Sequence, residues 1–384
     1  MVSYMYDLPA RVGHSEALDA AIASVATVLR WRNTSNMYTQ DFASDAWLKY
    51  GRALQMLQRA VENAEQSLTP EVLCATELLC IFEALSGNEL QAYIQHAAGA
   101  AKLIQHRGVS RFSSEFEKSL LAARLPIFII ESHYRGDALF LAQEQWLEVL
   151  QDCVLSSPKT PDRSEVAISL YSVVAYLSGQ FADVKTFMQN GADDEEHRRA
   201  QLRRVGKSRN RLLHWYQRWE DYLFWPTAAG NPVNGSLIGE QGREGKQLEL
   251  ICVHEAFLLS CSRLCIALDA NNEHAVEQKS LTMARAMTGG QDFKKNDPVR
   301  AIAHGLCASP IHVPIITSCV GVASVVLSTT EEWAAAMRQR KAAVGDEKKR
   351  CFEPSVVLSF LQAIGFDEQV IGNATGADKL QGQE

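Results

Sequence analysis

The sequence predicts an all-α protein, a multi-helix bundle built from packed antiparallel helical hairpins, and three observations carry that prediction. Apolar residues recur at i, i+3/i+4 and i+7 through most of the chain, no stretch alternates convincingly with the period of a strand, and no unit repeats at a fixed spacing. The run from Ser67 to Gly108 spells out a helix, a short polar turn and a second helix with its punctuation in place. A composition of 47% hydrophobic and 22% charged residues over 384 positions suits one large helical domain or two fused ones.

Taken in order, Ser15 and Glu16 open a helix through Leu18, Ile22, Val25 and Leu29 that ends near Asn33. A polar break from Thr34 to Gln40 leads into a long helix, about Asp41 to Gln66, with Trp47, Tyr50, Leu54 and Leu57 inward and Arg52, Arg59 and Glu62 outward. In the hairpin, Thr69 stands at the cap and Glu71 at the positive end of the helix dipole. Pro70 suits the first helical position, where the N–H it lacks would have no intrahelical partner. Ser86, Gly87 and Asn88 supply the turn, and Gly108 stops the second helix because it tolerates the left-handed conformation. Val72, Leu73, Leu79, Cys80, Phe82 and Leu85 leave the first hairpin helix apolar on several sides, which predicts burial all round. Ala97, Ala98, Gly99, Ala100 and Ala101 form a small-residue block in the second, read as a close helix contact.

Beyond Gly108, Ser113 or Ser114 caps a helix carrying Leu120, Leu125, Phe128 and Tyr134, with Pro126 inside it and a kink expected there. Trp146 to Val154 is a short amphipathic piece, and Ser156 to Pro161 reads as a linker. The expected division is a helical region 1–155 followed by a region 161–384 of the same or a closely packed domain. Helices are then expected from Asp162 through Phe181 and from about Asp193 to Leu223, the latter acidic at its start and aromatic at its end. A Gly/Asn-rich loop covers 227–246. The remaining helices are Leu248 to Leu268, Glu273 to Met287, Pro298 to Cys307, Pro310 to Leu327 and Glu331 to Lys341.

A net charge of −7 argues against a surface tuned to polyphosphate as a whole. Nine cysteines, an odd number set mostly in apolar helical stretches, read as free buried thiols in a reducing compartment, and Met1 to Ala10 lacks the pattern of a signal peptide. The run Val313 to Leu327 is apolar but falls short of the roughly 18–20 residues of a membrane span, so a core helix is expected.

At the hairpin the residues carry a resemblance. Leu-Leu-Cys-Ile-Phe-Glu ending at Glu83, then Tyr-Ile-Gln-His-Ala-Ala-Gly-Ala-Ala-Lys-Leu-Ile-Gln-His-Arg-Gly from Tyr93 to Gly108, resembles the middle region of fungal zinc binuclear-cluster transcription factors. The preceding order of a short helix and a long helix carrying Tyr-Gly-Arg-Ala-Leu resembles it too, over roughly Tyr4 to Leu150. The resemblance implies a regulatory domain that controls transcription of a metabolic or secondary-metabolite gene cluster in the nucleus. The partners expected are another regulator, in a homo- or heterodimer, and, because a large all-α body with an aromatic-lined interior has room for an apolar metabolite, a small apolar ligand. The family's DNA-reading module needs a Cys-x2-Cys-x6-Cys framework beside basic residues, and these 384 residues contain none. Direct DNA contact, a zinc site, a cofactor and a membrane are therefore not expected. The alternative is a small-molecule-binding protein or a biosynthetic enzyme recruited from the same fold, with the regulator preferred.

Motifs for catalysis fail on inspection. His254-Glu255 lacks the second histidine of a zinc protease, and Gly239 to Lys246 misses the phosphate-loop spacing and continues with Gln247 where Ser or Thr is required. The basic run Arg198, Arg199, Arg203, Arg204, Lys207, Arg209 and Arg211 reads as a solvated helix face with ion pairs one turn apart. A second one, Arg338, Arg340 and Lys341 with Lys348, Lys349 and Arg350, has two readings, a nuclear-import signal or a plain surface patch. The polar residues expected inside, and so the candidates for a buried network or ligand sensing, are Glu83, His96, His133 and His254. No residue is assigned a catalytic role.

Overall fold

The computed structural model describes residues 2–33, 39–86, 90–157, 159–190, 194–223, 237–269, 273–288, 313–342 and 351–365. Among them every regular element is an α-helix or a short 3-10 turn, so the chain is all-α. The helices are α1 (Glu16–Asn33), α2 (Thr39–Glu62), α3 (Pro70–Ser86), α4 (Leu90–Arg107), α5 (Glu115–Arg135), α6 (Glu144–Asp152) and α7 (Glu165–Val174). They continue with α8 (Leu177–Gln189), α9 (Glu195–Leu223), α10 (Leu237–Leu268), α11 (Glu273–Met287), α12 (Val313–Ser328), α13 (Thr330–Ala342) and α14 (Pro354–Ala363).

The contacts divide the chain into two units, the first from residues within Met1–Glu131 and Gln143–Ile168, the second from Ser132–Ala142 and from described residues beyond Ser169. In the first unit α1 packs on α2 and α3, and α3 packs on α4. The apolar wrap of α3 has the predicted result, since residues from Val72 to Phe82 are buried without a break. Gly108 closes α4 at φ 72°, a conformation that Cβ-bearing residues rarely adopt. Arg163 ties down the stretch read as a linker: it donates to the Cys153 carbonyl at 2.8 Å and pairs with Glu115 at 2.9 Å, while Leu155 N–H donates back to its carbonyl.

Gly99 departs from expectation. It is exposed, and a Cβ placed on it would meet nothing within 4 Å. The close contact is made instead by the other face of the block, where Ala97, Ala100 and Ile104 are fully buried.

In the second unit α9 and α10 pack as an antiparallel pair whose register is set by side-chain bonds, among them Arg209 Nε–H to Ser262 Oγ at 3.0 Å. Arg198 donates to the Leu268 carbonyl, His254 Nε2–H to the Leu212 carbonyl at 3.0 Å, and Gln247 to the Tyr222 carbonyl at 2.8 Å. The helix expected from Asp162 to Phe181 is two helices, broken at Ala175 and Tyr176. Of the loop expected at 227–246, residues 237–246 form the first turns of α10, and the earlier part lies outside the described residues. A helix-long run outweighs a few glycines when the following turns are buried. The hairpin turn at Gly87 and Asn88, the helix expected from Pro298 to Cys307 and the basic cluster Lys348 to Arg350 also lie outside. Helix α14 has no counterpart in the sequence reading; Val357, Phe360 and Leu361 bury it, partly against α8.

Within α10, Gly245–Leu268 is long and apolar enough to cross a membrane, and 89% of its most apolar window is buried inside the protein. It serves as a core helix here. Among the described residues no group of three or more His, Cys, Asp or Glu could hold a metal ion. The thiols sit in apolar surroundings, and burial pushes Cys153 up to about 12 and Cys265 and Cys351 up to about 11.

Candidate functional site

The four residues singled out from sequence fall into three separate places. Glu83 and His96 meet at the hairpin, where α3 and α4 bring them to either side of Tyr50 from α2. Tyr50 O–H donates to Glu83 Oε1, and a proton on His96 Nε2 completes the chain by donating to the Tyr50 oxygen at 2.8 Å. His96 Nε2 lies 3.8 Å from the Glu83 carboxylate. Tyr50 stacks on Phe82 with ring centroids 4.4 Å apart, and Trp47 stands edge-on to both. Burial first, then the bond to Glu83, raises the Tyr50 phenol well above its ordinary value, so it stays protonated and serves as a donor. Three helices are joined through one hydroxyl.

His133, at the end of α5, is buried between Phe181 and Phe257 and bonds through Nε2–H to the Ile364 carbonyl at 3.0 Å. Burial lowers its pKa to about 4, partly offset by that bond. A ring held neutral in this way anchors the segment after α14 and carries no proton near neutral pH. His254 is 1% exposed and stacks between Trp215 and Tyr216 at centroid distances of 5.4 and 5.2 Å. Its bond to Leu212 makes it part of the α9–α10 seam.

A cavity lies on α9, on the basic run read from sequence as a solvated face. Arg203, Lys207, Arg211, Trp215 and Trp219 stand four residues apart along one row of that helix, so successive side chains are about 6 Å apart along its axis. With Ser169 and Val173 of α7 they line a groove of about 780 Å³ whose lining includes Arg218 and no acidic residue.

The ion pairs on α9 are sorted by face. Arg199 pairs with Glu195 one turn away at 2.7 Å on the solvated side, as expected; Arg198 shares that carboxylate at 2.7 Å but is buried, and Arg204 pairs instead with Asp183 of α8. Arg203, Lys207 and Arg211 make no ion pair among the described residues, and these three face the groove. The floor is held in place: Trp215 is buried, and its Nε1–H donates to Ser169 Oγ at 3.1 Å. Arg218 lies over the Trp219 ring at 5.0 Å. Sequence reasoning passed over this site although its signal was present, as an uninterrupted i+4 row of three cations and two tryptophans. The missing part was the partner list, which depends on what α7 and α8 bring alongside.

Comparison with known proteins adds little at the level of single relatives. A curated relative, the uncharacterized protein AN5342 of Emericella nidulans, is 27% identical over 115 residues, which is 30% of this chain and 25% of the relative. The chain thus spans about a quarter of the length of the curated relative it matches. No solved structure matches. A family model does match, that of the fungal specific transcription factor domain, over residues 6–223, from ahead of α1 to the last residue of α9 and well past the region in which the sequence resemblance was strong. On that match, the chain belongs to the fungal specific transcription factor domain family.

Proposed function

We propose that the chain is the regulatory body of a nuclear transcription regulator that acts through a partner regulator, as a homo- or heterodimer, and has no DNA reader within these residues. The family match over 6–223 carries this reading, and the absence of a zinc-cluster cysteine framework from the 384 residues shapes it. The net charge of −7 agrees, since binding to a phosphate backbone needs a surplus of cations. The genes under control are proposed to be those of a metabolic or secondary-metabolite cluster.

The test is deletion of the gene in its source organism, with transcripts and products followed together. Transcripts and product of one gene cluster are expected to change in parallel. Loss of a product with every transcript intact would overturn the regulatory reading and favour an enzyme. A second reading, a small-molecule-binding protein built on this fold, draws on one observation, the α9 groove, and is compatible with the first.

A further inference from the structure

We infer that the α9 groove binds a small organic anion carrying a planar ring, the ring lying on Trp215 and Trp219 and its carboxylate or phosphate held by Arg203, Lys207 and Arg211. The regulatory reading bears only on what such binding would be for. A volume of about 780 Å³ falls in the range of small-molecule sites, and the tryptophans and Val173 give it an apolar floor.

The charge pattern supplies the second half of the argument. On one helix, three arginines are matched to Glu195 and Asp183 while, among the described residues, the groove row keeps three cations without a carboxylate. Three like charges on successive turns repel one another, an arrangement that an anion between them relieves. A long polyanion fits less well, because the chain as a whole is acidic and its field opposes one. The floor also connects to the core. Trp215 stacks on His254, which bonds to Leu212, so a ligand that presses on the indole acts on the seam between α9 and α10.

Isothermal titration of the full chain tests this with five probes: 2-naphthoate, 2-naphthyl phosphate, 2-naphthylmethanol, inorganic phosphate and an oligothymidylate. At least one of the two ring-bearing anions is expected to bind at a single site at least about tenfold tighter than the neutral alcohol or phosphate alone, and the tighter of the two identifies the acid group. R203Q and R211Q should each weaken it about tenfold with the melting temperature unchanged. W219A should weaken it similarly, while R199Q and R204Q, outside the groove, should leave it alone. The inference fails if neither naphthyl anion binds, if the alcohol binds as well as the acids, or if R203Q and R211Q bind like the parent. It also fails if the oligothymidylate binds tighter than both, with a steep salt dependence, which would make the groove a nucleic-acid channel. Failure here with a deletion strain that still loses transcripts would refute the groove and spare the regulatory reading. Binding here with transcripts unchanged in that strain would do the reverse.

Discussion

The hairpin unit and the α9 helix handle charge in opposite ways. Around α3 and α4 the buried charges sit in pairs: Arg124 with Glu77 and Arg107 with Glu117, while Tyr50 joins Glu83 to half-buried His96. Along α9 one face is matched in the same way, and the other keeps Arg203, Lys207 and Arg211 without a carboxylate partner among the described residues, over a cavity. A buried charge without a partner is too costly to persist, so matched pairs report on how a fold is held together. Unmatched charges at an open groove cost little in stability and remain available to something else.

That contrast can be broken experimentally, beginning where the effect is largest. Arg124 and Glu77 are both almost fully buried, so Arg124→Met leaves a carboxylate without its partner and should cost about 3–5 kcal/mol in urea unfolding. Adding Glu77→Leu in the same chain should restore most of the loss. A mild effect of Arg124→Met alone would show that the pair is not what holds α3 to α5.

The second unit offers a comparable test through His133. Its pKa in the folded chain, about 4, lies below the ordinary 6.5, so the unfolded chain takes up the proton first. The stability this ring contributes is full above about pH 6.5 and is lost as pH falls towards 4, about 3 kcal/mol in all. Unfolding curves across that window should show the slope in the parent and a flatter profile in His133→Asn. An identical slope in both would assign the acid sensitivity elsewhere.

Smaller effects sharpen the contrast. Tyr50→Phe removes the hydroxyl shared by Glu83 and His96 and should cost about 1–3 kcal/mol, read as a lowered melting temperature. The double variant R203Q and R211Q should shift stability by no more than about 0.5 kcal/mol, because neither side chain has a carboxylate partner among the described residues to lose. A large loss there would place the groove cations among the structural ones and remove the distinction between the two regions.

What the sequence determined by itself was local. The apolar period placed α1 at Glu16–Asn33 and α11 at Glu273–Met287, and the proline, glycine and capping residues marked out the α3–α4 hairpin. It also brought Glu83 and His96 under one heading as buried polar candidates, because both sit on apolar hairpin helices and a buried polar side chain calls for a partner. Tyr50, the residue that links them, was read only as an inward-facing aromatic of α2. Tertiary structure alone decided the rest. The break between α7 and α8 carries no proline, and Gly99 faces solvent although Ala97 and Ala100 of the same block are core. The i+4 row on α9 was legible as charge, but whether each cation is matched depends on Asp183 from α8 and on the wall supplied by α7. Periodicity states which face of a helix is apolar or charged; what stands opposite that face comes from segments distant in the chain, and only folding brings them there.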